Sequence, residues 1–333
     1  MKDQNPNIPL YVKRFFSEHL PKHRNYSLNT ITSYRDAIRL FLSYLQGHKK
    51  VAPSQITVRD ICAKNIMDFL NEIQESRSNS TVTRNGRLAA IRSFVNYLLL
   101  MEPTLSFDLQ AVLVIPVKRT NLRVLDFLTH EEMNAVIDAS DERTWSGKRD
   151  RILFETMYNT GARVSEIVGL TVSDVKLNPG GTVRIMGKGR KERVLPLWKS
   201  TARVLSKWIA ANQLTGGDAL FANARGTHMT RSGVEKRLRD LVCKASNVCP
   251  SLKTKRVSPH ILRHTTAMHL LQSGVDITLI AMWLGHESIE TTHIYITTDM
   301  EMKEKALKSL QEPSRGDFRF RPTDKLMAFL ESL

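Results

Sequence analysis

The 333-residue chain is 41% hydrophobic and has 49 Lys and Arg against 33 Asp and Glu, a formal net charge of +16. This hydrophobic content excludes a disordered chain, and the length predicts two domains because a single core rarely exceeds about 250–300 residues. The sequence shows no signal peptide and no run of 18 apolar residues, so we expect a cytoplasmic protein with no membrane contact.

The positive charge is spread along the chain. Residues 1–126 hold 18 basic and 10 acidic side chains and the remainder holds 31 and 23, so each part carries +8. A basic tail would concentrate the excess at one end, whereas two basic domains favour nucleic acid as the partner, because neutralised phosphates supply most non-specific affinity. A basic enzyme that does not bind nucleic acid remains the alternative.

Residues 1–102 are predicted to form a small domain of four helices. In the second helix, apolar residues recur at helical spacing from Ile31 to Leu45, after a possible N-cap at Ser27 or Asn29. The fourth helix is predicted over residues 79–101. Its predicted core stripe consists of Val82, Leu88, Ile91, Val95, Leu98 and Leu99.

Three arginines of the fourth helix, Arg84, Arg87 and Arg92, lie largely off this stripe. They are candidates for contacts with a DNA backbone, and an ordinary solvated helix face is the alternative. Residues 103–126 contain two prolines and show weak periodicity, which predicts an interdomain linker. Lys118 and Arg119 within it are further candidate DNA contacts.

The second half opens with a capping-box spacing, Thr129 followed by Glu132. Further on, Gly161 is predicted to end a helix, and Arg163 begins a short one. A buried functional arginine and an arginine in a surface salt bridge both fit this position.

Residues 172–195 alternate in period two and predict two or three short antiparallel strands. Lys188 lies at a predicted hairpin tip between Gly187 and Gly189. A solvated turn lysine is the alternative to a functional one there.

The stretch 258–295 has the strongest functional pattern. His260 and Arg263 are spaced i and i+3, so they point from one face of a helix. His286 follows Gly285 after an apolar run, and Tyr295 lies nine residues later. A guanidinium beside an imidazole suits a phosphate, and a tyrosine brought to the same place would be its nucleophile.

Taken together, these motifs resemble the tyrosine recombinase family (phage-integrase-like, Xer-like). The matching elements are Arg163 in TGARVSE, Lys188, His260 and Arg263 in HILRH, His286 in LGH, and Tyr295, in the family's order. The resemblance covers residues 128–297, and the first hundred residues match only in outline.

The resemblance implies a mainly α fold with a small antiparallel β-sheet. It implies an N-terminal helical core-binding (SAM-like) domain over 1–102, a linker over 103–126 and a catalytic tyrosine-recombinase domain over 127–311. Residues 312–333 form a C-terminal tail that is a candidate subunit-exchange segment, because apolar residues recur in it at helical spacing. Self-docking or fraying of that tail is the alternative.

In the implied mechanism, Tyr295 attacks a phosphodiester and forms a 3′-phosphotyrosyl link. Arg163 and Arg263 hold the phosphate, His260 is general base and then general acid, and Lys188 protonates the leaving 5′-oxygen. His286 contacts the phosphate or braces the pocket, and Glu166 orients a residue of the site. A GxxxxGK[ST] motif is absent and the three cysteines lack metal-ligand spacing, so we expect neither cofactor nor metal.

The expected partners are a double-stranded DNA recombination site and other recombinase subunits, as a homotetramer on two sites or with related recombinases. The first hypothesis is integration, excision or transposition of a mobile element. The alternatives are Xer-like resolution of chromosome or plasmid dimers, a relaxing topoisomerase with the same nucleophile, and a catalytically silent DNA-binding accessory protein of this fold.

Overall fold

The computed structural model describes residues 8–120, 126–177, 180–187, 191–286 and 292, apart from the side chains of Arg77 and residues 105–108. The chain divides into two compact units, Met1–Leu122 and Arg123–Leu333. In the described part of both units, helices dominate and one small antiparallel sheet is present, which confirms the predicted fold class. None of the described helices combines the length and apolar character needed to cross a membrane.

The described part of the first unit consists of helices and their connections. Its helices are α1 (Ile8–Arg14), which continues as a π-helical segment (Phe15–His23), α2 (Leu28–Lys49), α3 (Ala63–Arg77), α4 (Thr81–Met101) and α5 (Ser106–Leu113). The Ser27 and Ser80 hydroxyls cap α2 and α4 by accepting from the third backbone N–H beyond them. Buried phenylalanines from four segments meet in its core: Phe15, Phe41, Phe69 and Phe94.

The prediction that residues 103–126 form a linker is wrong for its first half. Helix α5 lies within this stretch, and Leu109, Val112 and Ile115 are buried in the core of the first unit. Leu109 and Val112 are three residues apart, so they share one helix face. A helix of eight residues is too short to produce a clear periodic signal, which is why the stretch resembled a linker.

Arg84 was predicted to face solvent and is buried instead, with 4% of its surface exposed. It lies four residues before Leu88 and therefore continues the buried stripe of α4, whereas Val82, predicted to be core, is 67% exposed. The Arg84 guanidinium donates to the carbonyl of Pro116 at 3.4 Å. This arginine thus holds the segment after α5 against α4.

The other candidate DNA contacts of the first unit differ in exposure. Arg92 is half-buried and donates to the carbonyl of Ile115, so it too fixes the segment after α5. Arg87 is half-buried, while Lys118 and Arg119 are exposed. The Lys118 ammonium donates to Gln74 at 2.6 Å.

The described part of the second unit combines α-helices with one three-stranded sheet. The helices are α6 (His130–Asp138), α7 (Trp145–Thr160), α8 (Val164–Val168), α9 (Lys199–Ala211), α10 (Arg231–Ala245), α11 (Pro259–Gln272) and α12 (Ile277–Leu284). The strands β1 (Val175–Lys176), β2 (Thr182–Met186) and β3 (Glu192–Pro196) pair antiparallel in the order β1-β2-β3, as the alternation predicted. Val183, Ile185 and Leu195 of the sheet belong to the core of this unit.

A buried carboxylate joins the start of α6 to the segment before α11. Glu132 forms the predicted capping box with Thr129, and its carboxylate also accepts from Lys255 and from Ser251, each at 2.6 Å. Burial alone would raise the pKa of Glu132, but the hydrogen bonds from Lys255, Ser251 and the Thr129 N–H outweigh it and lower the pKa below its usual value. The charged form of Glu132 therefore stabilises the fold.

We expect Glu132→Gln to lower the free energy of unfolding at pH 7 by about 1–3 kcal/mol, because an amide cannot replace a carboxylate that accepts from a cation. Glu131→Gln is the matched control, since Glu131 is exposed. The contribution of Glu132 is fully present above the ordinary carboxyl pKa and is lost as pH falls through the lowered one. Urea unfolding at pH 7 and in acid measures both effects; equal losses in the two variants at pH 7 would contradict this role.

Candidate active site

Helix α11 positions His260 and Arg263 in its first two turns. The Ser258 hydroxyl caps the helix by accepting from Ile261 N–H at 3.4 Å, and Pro259 occupies the first helical position, where no N–H is needed. Both predicted residues therefore lie at the N-terminal end of one helix, three positions apart.

Arg263 is buried, with 4% of its surface exposed. One terminal nitrogen of its guanidinium donates to the carbonyl of Gly161 at 2.7 Å, and the other donates to the carbonyl of Leu284 at 2.6 Å. These carbonyls belong to the ends of α7 and α12, so Arg263 joins three helices. The two backbone carbonyls thus hold the guanidinium of Arg263 in one orientation.

Arg163 lies at the N-cap of α8, directly after the turn that ends α7. Its backbone N–H donates to one oxygen of Glu166 at 2.8 Å, and its guanidinium donates to the other at 2.9 Å. Gly161, with φ +60°, makes this turn possible, because a Cβ there would lie 2.5 Å from a methyl carbon of Leu284. Glu166 thus accepts from both the backbone and the side chain of Arg163.

The positive charge of the site acts on the histidines of α11. Partial burial is the main cause that lowers the pKa of His260 below its usual value. The positive charges of Arg231 and Arg263 lower this pKa further. Burial and the charges of His260 and Arg263 lower the pKa of His264 to about 4. Both imidazoles are consequently neutral at pH 7, and a neutral His260 can accept a proton.

His286 lies just beyond Gly285, which ends α12 with φ +67°. Its Nδ1 lies 2.7 Å from the hydroxyl oxygen of Thr292. Burial lowers the pKa of His286 to about 4, and the guanidinium groups of Arg263 and Arg163 act in the same direction. Because Arg263 donates to the carbonyl of Leu284, two residues before His286, the two side chains belong to the same part of the second unit.

Five of the predicted site residues thus converge in the second unit: Arg163, Glu166, His260, Arg263 and His286. Lys188 and Tyr295 lie outside the described residues, as do residues 299–333. In the part of the chain that is described, no group of three or more His, Cys, Asp or Glu side chains is arranged to hold a metal ion. Arg163 and Arg263 make this a cationic site, which suits an anion such as a phosphate.

Sequence reasoning missed Arg193, whose guanidinium donates to Glu166 at 2.7 and 3.3 Å. A signal for it was present in the alternation of β3. Leu195 and Leu197 are buried, so Arg193 lies in the same inward-facing phase. An arginine in the buried phase of a strand needs a partner, and Glu166 supplies it.

The chain matches models of two protein families. The model of the phage integrase family matches residues 126–302, and the model of the phage integrase N-terminal SAM-like domain matches residues 12–101. The first of these matches lies within the second unit and includes Glu166 and every candidate catalytic residue from Arg163 to Tyr295.

Similar proteins cover nearly the whole chain. A putative integrase/recombinase, y4rC of Sinorhizobium fredii, is 42% identical over 97% of this chain and 97% of its own length. Tyrosine recombinase XerD of Oceanobacillus iheyensis is 34% identical over 86% of this chain and 93% of its own length.

Two solved structures share the fold. The XerH site-specific recombinase bound to palindromic difH substrate has a TM-score of 0.71 at 24% identity, over 86% of this chain and 81% of that one. The Tn1549 transposon integrase in complex with transposon right-end DNA has a TM-score of 0.65 at 17% identity, over 91% and 98%. The chain belongs to the phage integrase family of tyrosine recombinases, enzymes that cleave and rejoin DNA by transesterification without ATP.

Proposed function

We propose that this recombinase cuts and rejoins a specific DNA site with Tyr295 as its nucleophile, and that its role is to integrate, excise or transpose a mobile element. The observation that carries the chemistry is the placement of Arg163, of Arg263 and of two histidines with lowered pKa in one site of the second unit. A phosphodiester seated there receives two guanidinium groups, which offset the charge that develops on phosphorus.

The first step exchanges the bond from phosphorus to a 5′-oxygen for a bond to Tyr295. The phenolic oxygen of Tyr295 bonds to phosphorus while its proton passes to His260, and the bond from phosphorus to the 5′-oxygen breaks. Lys188 gives its proton to that leaving oxygen. Because the phosphotyrosyl bond keeps the energy of the broken ester, a 5′-hydroxyl of another strand then attacks phosphorus and gives its proton to the neutral Lys188. The bond from phosphorus to Tyr295 breaks, and His260 returns its proton to the phenolic oxygen.

The chain length supports Tyr295 acting at the pocket of its own subunit. Thr292 is buried and lies 2.7 Å from His286. Three residues of chain span at most about 11 Å. Tyr295 follows Thr292 by three residues, which keeps the nucleophile within reach of the same pocket.

We place four such subunits on two recombination sites, since strand exchange between two duplexes needs four cleavages. The exposed Lys118 and Arg119, with the half-buried Arg87, keep the predicted role of DNA-backbone contacts. Residues 312–333 keep the role of a segment that docks on a neighbouring subunit. Because the substrate is chromosomal or plasmid DNA, we assign the activity to the cytoplasm, at the nucleoid.

Resolution of chromosome or plasmid dimers is the second candidate role. The 34% identity with a relative named XerD favours it. The 42% identity with a protein named an integrase/recombinase, over almost its whole length, supports the mobile-element role.

The test uses a DNA sequence that the wild-type protein selects from a library of random duplexes. That sequence is built into a duplex nicked beside the cleavage point, so that the short strand diffuses away and rejoining fails. We expect a covalent protein–DNA adduct, and we expect the peptide that carries the nucleotide to contain Tyr295. Absence of an adduct, or attachment to another residue, would contradict the proposal.

A further inference from the structure

Arg193 is a buried charged residue for which the mechanism above gives no task. It lies on β3 opposite the buried Ile185, and 11% of its side chain is exposed. Its two terminal nitrogens donate to the two oxygens of Glu166, at 2.7 and 3.3 Å. A two-pronged pair of this kind fixes both partners.

Glu166 is shared between two arginines. Besides the bonds from Arg193, its oxygens accept from the backbone N–H and the guanidinium of Arg163. Only 4% of the Glu166 side chain is exposed, so this charge balance forms largely away from water. The hydrogen bonds from Arg193 and Arg163 outweigh the effect of burial and keep the pKa of Glu166 below its usual value, so the carboxylate is charged.

Arg193 changes the net charge of the group that it forms with Glu166 and Arg163. A pair of Glu166 and Arg163 alone would be neutral and would withdraw positive charge from a phosphate seated at Arg163. With Arg193 present, the three groups carry a net charge of +1 in a site where water screens charges weakly. Glu166 can then orient Arg163 without cancelling it.

Arg193 also lies against two other parts of the site. A Cβ added to Gly285 would stand 3.0 Å from an Arg193 nitrogen, so the guanidinium packs on the backbone beside His286. A Cβ added to Gly187 would stand 3.7 Å from Arg193 and 3.7 Å from Glu166. The carboxylate and its second arginine therefore contact the base of the β2–β3 hairpin as well.

We propose that Arg193 is a positioning residue that neutralises Glu166, so that Glu166 anchors Arg163 while Arg163 keeps its charge for the scissile phosphate. This inference rests on the proposed function of Arg163 as a phosphate ligand. A residue with a merely structural task would fill space and hold the hairpin. The two roles differ in what happens when the carboxylate is removed together with its partner.

The test compares Arg193→Met with the double variant Arg193→Met/Glu166→Gln, using the nicked duplex described above. Arg193→Met leaves Glu166 to cancel Arg163, and we expect adduct formation to slow about 100-fold. The double variant removes both charges, and its glutamine can still accept from Arg163. We expect it to be at least about 10-fold faster than Arg193→Met.

A structural role predicts the opposite order, because the double variant loses more contacts than the single one. A double variant no faster than Arg193→Met, or a single variant as fast as wild type, would overturn the inference. An adduct formed by the wild-type protein in the same assay shows that such a failure leaves the proposed function intact. A wild-type protein that forms no adduct refutes the proposed function instead.

Arg193→Lys covers the case in which Arg193→Met does not fold, as judged by thermal unfolding. Lysine keeps the charge but loses the two-pronged geometry. We expect its rate of adduct formation to stay within about 10-fold of wild type, since neutralisation of Glu166 is the main task. A loss of about 100-fold in a folded lysine variant would overturn the inference.

Discussion

Replacing Arg263 with lysine is expected to slow DNA cleavage at least about 100-fold and to lower the free energy of unfolding by about 1–3 kcal/mol. The catalytic loss follows from the planar guanidinium, which can grip two phosphate oxygens where a single ammonium cannot. The stability loss follows from the two carbonyls that Arg263 bridges, those of Gly161 and Leu284. A lysine ammonium cannot span both, so one buried carbonyl loses its donor.

Arg163→Lys is the matched control, because Arg163 is also proposed to hold the phosphate but is 34% exposed. Its side chain donates to Glu166 and not to the ends of two helices. We expect a similar loss of cleavage with less than about 1 kcal/mol loss of stability. Urea unfolding and the rate of adduct formation measure the two effects. Equal stability losses in both variants would show that Arg263 does not bridge the helices in solution.

The sequence predicted the parts of the site that depend on local spacing. His260 and Arg263 share a helix turn, and Arg163 begins a helix three residues before Glu166, so their relations could be derived from position alone. The cap at Ser27 was likewise predicted as one of two candidates. The convergence of these separate motifs could only be expected from the family resemblance.

The errors have a common physical cause. Arg84 was predicted to face solvent because it is charged, yet it donates to a carbonyl 32 residues away. Arg193 was not predicted as a site residue because it too is charged, and its partner Glu166 lies 27 residues away in sequence. A buried charge is stable only with a partner, and a partner distant in sequence leaves no local pattern. Helix α5 was missed for a different reason. Its apolar stripe is short, so its periodicity in the sequence is too weak to predict a helix.

Replacing Tyr295 with phenylalanine is expected to abolish the covalent protein–DNA adduct, because phenylalanine has no oxygen to bond to phosphorus. Tyr158→Phe is the matched control. Its hydroxyl lies 2.6 Å from Nδ1 of His269, and we expect the rate of adduct formation to remain within about 3-fold of wild type. Binding of the nicked duplex, measured by mobility shift, should be unchanged in both variants. A Tyr295→Phe protein that still forms the adduct would remove Tyr295 as the nucleophile.

Mixing Tyr295→Phe with Arg263→Lys shows which subunit supplies the nucleophile. If each Tyr295 serves the pocket of its own chain, every subunit in the mixture has one defect and cleavage stays at the level of the variants alone. If Tyr295 crosses to a neighbour, the Tyr295→Phe subunit offers an intact pocket to the tyrosine of the Arg263→Lys subunit, and cleavage returns. We expect no recovery, because Thr292 lies beside His286 of its own chain and Tyr295 follows by three residues, a reach of about 11 Å. Recovery to more than about a tenth of the wild-type rate would require Tyr295 to act in the neighbouring subunit.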